Sequence, residues 1–442
     1  MTRSVFLAAL AASCCGLLAF VPTSALAQRG VRPGDSLRLG ALEADAERRD
    51  PRARQIGLLA SQSALRQRGI DAERLPTLGV SAQGQYQSDV VTLPIRLPGV
   101  AVPASPHDTY DASLAARQRL FDPTNAPRRA EERARLAESQ ARVRTTLFAL
   151  RQSVADAFFS ALLLQAQRAE IETGVADLEA QHRLATERVR QGSALPSEAA
   201  LLEAELLRRR QSLDRIAAER EAALVVLGDL AGREVDAGDA LALPELASSV
   251  ARARAGLDSL RGRPEYEQFA RGRELLDVRR RAVTAQERPR VSAFGRAGYG
   301  RPGLNPLARD FDEYWLAGVQ LEWTPWNWGA TGREREELAM QREIVSSEEA
   351  AFTEGVRRGV ASLLATADRL ERALATDDEI IALRERVLHE TRLRFGEGVI
   401  TSAELVDRET DLLAARLDRA SHRVELAQAR ARFLTLVGLE IP

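Results

Sequence analysis

Hydrophobic and polar residues alternate with a period of two in four short segments of this chain, residues 75–87, 110–121, 291–299 and 315–323. In the last of these, one face carries Trp315, Ala317, Val319, Leu321 and Trp323. A period of two places successive side chains on opposite faces of a β-strand. The pattern therefore predicts four strands, each with an apolar face and an opposite face that is mostly polar.

The helical period dominates the rest of the chain. Helices are predicted over 35–70 with an interruption at Pro51, and over 127–191, 196–227, 330–395 and 402–437. At about 1.5 Å per residue, the helix over 127–191 would be on the order of 100 Å long, which favours coiled-coil or bundle packing. Thr401 and Glu404 have the spacing of a capping box, which predicts that they close the start of the last helix.

The order of these elements occurs twice, with strands, a long helix, a turn and a second helix in each half. Identical residues recur 206 positions apart, as in the pairs Arg188/Arg394, Gly192/Gly398, Glu198/Glu404, Glu203/Glu409 and Gly232/Gly438. We predict an internal duplication, with a first repeat over 28–245 and a second over 246–442. The fold class is mainly α with a small β part.

The apolar strand faces predict contact with lipid. Four strands are too few to close a barrel, so closure requires strands from several protomers. Trp315 and Trp323 share a face and would lie roughly 27 Å apart at about 3.4 Å per residue, near the spacing of the two aromatic girdles of a membrane barrel. The alternative is a soluble hairpin whose apolar face packs on helices.

The first 27 residues predict a signal peptide. Arg3 precedes an apolar run that ends at Phe20, and Ala25-Leu26-Ala27 is a cleavage site of the A-x-A type. A buried N-terminal helix is the alternative. Both cysteines, Cys14 and Cys15, lie in this segment, so cleavage after Ala27 leaves a mature chain without thiols. Lipidation at Cys14 is a second alternative.

Composition narrows the function classes. Charged residues make up 28% of the chain and aromatic residues 5%, which is typical of long helices with charged faces. The net charge of -1 provides no basic field for nucleic acid. The four histidines, His107, His182, His389 and His422, lack metal-ligand spacing, and phosphate-loop and nucleophile-elbow motifs are absent. We expect no enzyme activity, no cofactor and no metal site.

Taken in order, these features resemble the TolC-type outer membrane efflux protein family over roughly residues 35–440. The residues that carry the resemblance are the strand endings 118–123 (QRLFDP) and 320–325 (QLEWTP), and the helix tips 188–192 (RVRQG) and 394–398 (RFGEG). The resemblance implies a homotrimer with a twelve-strand barrel in the outer membrane and an α-helical tunnel across the periplasm. It also implies an inner-membrane transporter that docks through a periplasmic adaptor (membrane fusion protein) at the tips.

The resemblance places the periplasmic constriction at Glu404 and Asp407. Three residues apart, they share a helix face, and threefold symmetry would turn each into a ring of carboxylates. The alternative is that helix N-termini favour acidic residues, with Glu404 serving only as a capping partner.

The resemblance also implies that Arg188 and Arg394 link helices or contact the adaptor; the alternative is that both are solvated surface residues. Gly192 and Gly398 are predicted to form the tip turns, because a tight helix reversal favours residues that tolerate positive φ.

The leading hypothesis is therefore a passive exit duct of a tripartite efflux pump, and a type I secretion duct is its nearest variant. The alternative from another class is a periplasmic coiled-coil scaffold or adaptor without a barrel. The sequence does not identify the exported compound, the pump or the gating mechanism.

Overall fold

The computed structural model describes residues 36–90, 105–256, 262–306 and 308–442. The predicted signal peptide and Cys14 lie outside these residues. The helices are α1 (Leu39–Arg49), α2 (Arg54–Ala72), α3 (Asn125–Arg190), α4 (Pro196–Ala231), α5 (Ala247–Ala255), α6 (Pro264–Ala285), α7 (Ala330–Gly396) and α8 (Ser402–Leu436). The strands are β1 (Thr77–Tyr86), β2 (Asp108–Phe121), β3 (Arg290–Arg301) and β4 (Asp312–Glu322).

The described strands form one antiparallel sheet in the order β1-β2-β3-β4. The predicted fold class, mainly helical with four short strands, is therefore confirmed. Each predicted strand is present, and its ends differ by three residues or fewer from the predicted ones. The first helix is interrupted as predicted: a 3₁₀ turn over Pro51–Ala53 separates α1 from α2, because Pro51 offers no backbone N–H to continue a helix.

The long helices pair as two antiparallel hairpins, α3 with α4 and α7 with α8. α3 also packs against α8 and α6, so it joins the two halves of the chain. Next to the turns, an apolar cluster is built around the buried side chains of Leu178, Leu202, Phe395, Leu405 and Leu412.

A larger apolar cluster lies where α1, the middle of α3 and the ends of α4 and α8 meet. Phe158 and Phe159 pack edge-on there, with ring centroids 5.4 Å apart, and Phe433 is buried beside them. By length and composition α3 is apolar enough to cross a membrane. Of its most apolar stretch, 44% is buried, and Val154, Phe158 and Phe159 pack in this cluster.

The duplication is visible in the hydrogen bonds that end the helices. Ser193 N donates to Arg188 O and Val399 N donates to Arg394 O, each at 2.9 Å and 206 positions apart. The ion pairs Arg210–Glu179 and Arg416–Glu385 recur at the same spacing, both at 2.7 Å. Equal backbone and side-chain geometry at matching positions supports two copies of one unit. The predicted repeat boundaries, 28–245 and 246–442, stay predictions.

Gly174 lies inside α3 at a position where packing leaves no room for a side chain. A Cβ there would lie 2.9 Å from Nη1 of Arg209. Arg209 is 3% exposed; its Nη1 donates to Gly174 O at 3.0 Å and its Nε to Glu205 Oε1 at 3.0 Å. The missing side chain therefore makes room for a buried arginine that ties α3 to α4.

Candidate functional site

The residues predicted to carry function lie at the two ends of the long helices. Trp315 lies in the sheet from which α3 and α7 start, and Trp323 lies one residue beyond it. Glu404, Asp407 and the paired arginines and glycines lie at the turns where these helices end. A helix of 66 residues separates these ends by on the order of 100 Å.

The two turns have nearly the same backbone. Gly192 has a φ of +74° and Gly398 a φ of +76°, a left-handed conformation that glycine adopts with little strain. In each turn, two backbone N–H groups bond back to carbonyls of the last helical turn, which satisfies groups that the helix end leaves unpaired.

Arg188 connects the two turns. Its Nη1 donates to the carbonyl oxygen of Phe395 at 2.5 Å, and its guanidinium lies 5.5 Å from the centroid of the Phe395 ring. Phe395 is fully buried. A Cβ at Gly398 would lie 2.6 Å from Nη2 of Arg188, so the glycine leaves room for the guanidinium.

Arg394 is the counterpart of Arg188 in the second repeat, and its surroundings differ. Its side chain is exposed and, within the described residues, makes no hydrogen bond or ion pair. Arg188 is half-buried at the junction of the turns. The duplicated arginines therefore have different environments: one holds the two turns together and the other points into solvent.

Glu404 and Asp407 lie in the first two turns of α8, and both are exposed. Among the described residues neither carboxylate has a hydrogen-bond or ion-pair partner. The predicted capping box is wrong: Thr401 is the N-cap residue, but its side chain accepts no capping hydrogen bond. Capping therefore does not account for Glu404.

Glu409, one turn further along α8, is placed very differently. It is 3% exposed, and its Oε1 accepts a hydrogen bond of 2.5 Å from Nη2 of Arg392. Arg392 also bonds to Asp177 Oδ2 at 2.9 Å, which joins α7 and α8 to α3. The sequence pattern did not indicate a role for this ion-pair network. The sequence feature that could have revealed it is that Glu409 lies on the same helix face as the apolar Leu405 and Leu412.

The sheet has one continuous apolar face. Val80, Leu114, Ala297 and Trp315 form a row across the four strands, each paired with the next in register. Val80 is 85% exposed and Trp315 is 76% exposed. The outer edges of β1 and β4 have no partner strand in the described chain. Unpaired backbone groups at a sheet edge and a large exposed apolar face are both unfavourable in water, so they indicate surfaces that contact something else.

The opposite face of the sheet carries a polar network. Arg296 Nε donates to Ser113 Oγ at 3.0 Å, and its Nη2 donates to Asp111 Oδ2 at 2.5 Å. Tyr314 also donates to Asp111. A Cβ at Gly298 would lie 2.6 Å from Tyr314, so glycine lets this ring lie over the sheet.

Trp323 lies one residue beyond the end of β4, where its Nε1 donates to Glu287 O at 3.0 Å. Trp326 and Trp328 follow it and were not among the residues that the sequence pattern indicated. They are 72% and 79% exposed, and their rings pack edge-on with centroids 5.9 Å apart. Three exposed tryptophans thus mark the helix-proximal end of the sheet.

Solved structures share this fold over most of their length. The outer membrane protein VceC from Vibrio cholerae matches with a TM-score of 0.64 and 15% identity, covering 91% of this chain and 97% of that one. The open-state MtrE outer membrane channel of Neisseria gonorrhoeae matches with a TM-score of 0.62 and 19% identity, covering 91% and 89%. CusC, described for its transmembrane channel formation, matches with a TM-score of 0.67 and 16% identity, covering 94% and 96%.

Comparison with sequence-family profiles finds no match, and none of the curated proteins matches this chain. At identities below one fifth, the structural matches show the fold. The chain therefore has the fold of outer membrane channels, and the resemblance that the sequence suggested is confirmed at that level.

Proposed function

We propose that this protein is the outer membrane exit duct of a tripartite efflux or type I secretion system, extending from the outer membrane into the periplasm. It conducts substrates passively and is not an enzyme. The observation that carries the proposal is the sheet: an exposed apolar face and two unpaired edges, held on long helices with the fold of outer membrane channels.

Closure of the sheet requires other protomers. β1 leaves the helical end and β4 returns to it, so the β4 edge of one protomer is antiparallel to the β1 edge of the next. Pairing these edges around a threefold axis closes a barrel of twelve strands and leaves no edge exposed. The apolar face then meets outer membrane lipid, and the polar face with Asp111 and Arg296 lines the lumen.

The periplasmic constriction is assigned to Glu404 and Asp407. Both are exposed and partnerless in the described chain, whereas the neighbouring Glu409 is buried and paired with Arg392. In a homotrimer, two unpaired carboxylates per protomer become two acidic rings at the tip. Such rings favour cations and repel anions.

The turns are the surface proposed for the partners, a periplasmic adaptor and an inner-membrane transporter. Arg394 is exposed and free to contact an adaptor, while Arg188 holds the turns around Gly192 and Gly398 in place. Because the sequence carries no nucleotide-binding motif, the energy for transport comes from the transporter.

The test is planar-bilayer conductance of the purified mature protein, comparing wild type with the double variant Glu404→Ala/Asp407→Ala. We expect discrete, cation-selective channels that conduct more and lose cation preference in the double variant. Glu198→Ala is the matched control, since Glu198 is the counterpart of Glu404 in the first turn of α4; we expect it to conduct as wild type.

The possible outcomes test the duct and its acidic constriction separately. Channels that do not respond to the double variant would keep the duct and discard Glu404 and Asp407 as its constriction. A mature protein that stays soluble without detergent and gives no conductance would contradict the proposed duct and favour a periplasmic scaffold.

A further inference from the structure

A cleft of about 450 Å³ lies where the sheet joins the helices. It is formed by the residues after α2, the end of β2 and the first turns of α3. Its lining includes four arginines, one carboxylate and two large apolar side chains: Arg74, Arg119, Arg129, Arg133, Asp122, Leu120 and Phe121. The volume falls within the range of roughly 300–1,000 Å³ that is usual for small-molecule sites.

Two of these arginines have carboxylate partners. Arg119 contacts Glu73 at 2.7 Å and Asp122 at 3.4 Å. Arg129 contacts Asp71 at 3.1 Å.

The other two arginines are uncompensated. Arg74 and Arg133 are exposed, and no carboxylate of the described residues lies within ion-pair distance of either. The cleft therefore keeps two guanidinium charges that are available to an anion.

The two apolar side chains of the cleft lie on the apolar face of the sheet, the face proposed to contact lipid. Before the bulge in β2, Gln118 pairs with Ala293 on the apolar face; after it, Phe121 pairs with Val291 of the same face. The bulge thus places both Leu120 and Phe121 on that face, and they are 57% and 54% exposed.

The position of the cleft along the strands indicates its depth in the proposed membrane. Phe121 ends β2 at the same helix-proximal edge where Trp323, Trp326 and Trp328 follow β4. Exposed tryptophans of membrane proteins gather at the level of the lipid headgroups. Of the two uncompensated arginines, Arg74 follows α2 and Arg133 lies in α3, so both are just beyond this level on the helical side.

We propose that this cleft binds the phosphate group of an anionic phospholipid from the leaflet that faces the helices. The inference rests on the proposed membrane location. Guanidinium groups bind phosphate oxygens through two parallel hydrogen bonds. The acyl chains of the lipid continue along Leu120 and Phe121 onto the apolar face, which favours a lipid over a free phosphate ion.

The test measures phospholipid binding to the delipidated mature protein in detergent micelles by native mass spectrometry. Phosphatidylglycerol, zwitterionic phosphatidylcholine and inorganic phosphate are the three probes. We expect wild type to prefer phosphatidylglycerol, and Arg74→Gln/Arg133→Gln to weaken that binding by roughly 10- to 30-fold. Arg183→Gln/Arg358→Gln is the matched control, because both arginines are exposed, partnerless in the described chain and far from the sheet.

Equal binding of the two phospholipids, or equal loss in the control variant, would overturn the site. Displacement of phosphatidylglycerol by an equal concentration of inorganic phosphate would overturn the lipid as its ligand. Bilayer conductance of the same preparations separates the two proposals: channels without a lipid preference reject the cleft alone, whereas loss of channels and of trimers rejects the duct.

Discussion

Glu43 is a carboxylic acid inside the apolar cluster that α1 forms with α3. Its side chain is 3% exposed, and its Oε1 has no hydrogen-bond partner in the described chain. Burial raises the pKa of Glu43 from 4.5 to about 7; the Arg151 charge opposes the rise, and Glu47 and Glu440 add to it. Arg151 is itself held by Glu47 at 2.5 Å, so it compensates Glu43 incompletely.

This raised pKa predicts a loss of stability as the pH rises. Below pH 4.5 Glu43 is protonated in both the folded and the unfolded chain, so its contribution is complete there. Between pH 4.5 and about 7 the unfolded chain has released a proton that the folded chain keeps, and the free energy of unfolding falls by up to about 3 kcal/mol. Above that window the loss is complete.

We expect Glu43→Gln, which stays uncharged, to remove this decline and to be more stable than wild type at pH 8. The measurement is the thermal unfolding midpoint across the same pH range. Glu203→Gln is the control, because Glu203 is exposed and partnerless in the described residues. A wild-type midpoint that does not decline relative to Glu43→Gln would contradict the prediction.

At the scale of elements, the two helix hairpins show how duplicated sequence acquires different contacts. Both turns have the same backbone, and both hairpins carry the same arginine–glutamate pair. Among the described residues, only the second turn receives a side chain from the other hairpin, since Arg188 reaches Phe395 and lies against Gly398. A Cβ at Gly192 would meet nothing within 4 Å.

The glycines of the two turns therefore predict unequal effects of one substitution. Gly192→Ala should cost about 1 kcal/mol, the strain of alanine at positive φ. Gly398→Ala should cost about 1 kcal/mol more, because it also displaces Arg188 from the Phe395 carbonyl. Amide hydrogen exchange of each turn reports its opening free energy, and each variant serves as control for the other. Equal destabilisation of the two turns would show that the Arg188 contact contributes nothing.

At the scale of the whole molecule, the two faces of the sheet decide where the protein resides. Val319 is 67% exposed on the apolar face. Gln320, the next residue, lies on the polar face in register with Ser292. In the proposed trimer, Val319 contacts lipid and Gln320 lines the lumen.

Adjacent substitutions on β4 should thus differ sharply. Val319→Arg would put a guanidinium into hydrocarbon at about 2–4 kcal/mol per protomer, if it lies near the bilayer midplane. We expect the yield of membrane-inserted trimer to fall, whereas Gln320→Arg should insert normally and shift conduction toward anions. Sedimentation of detergent-extracted membranes measures the trimer, and bilayer recording measures the selectivity. Equal yields from both variants would place the apolar face against protein instead of lipid.

Much of the fold could be predicted from local patterns. The strand segments, the long helices and the reversals at Gly192 and Gly398 follow from periodicity and glycine positions that act within a few residues. The prediction of a capping box was wrong because suitable residue types at Thr401 and Glu404 do not guarantee that the Thr401 side chain forms the capping hydrogen bond. The site residues were located at the two ends of the helices, but their environments were not foreseeable.

The amino-acid sequence alone determined the element order, the duplicated plan and the two-faced strands, since each of these depends on residue spacing along the backbone. Tertiary structure decided that Arg188 holds the turns while Arg394 lies in solvent. It also decided that Glu409 is buried, while Glu404 and Asp407 are exposed and have no partner among the described residues. It also brought Arg74 and Arg133 to one cleft beneath the apolar face. The physical reason is that the charge environment of a side chain depends on neighbours from distant parts of the chain, and helices as long as α3 and α7 bring those neighbours together only after they pack.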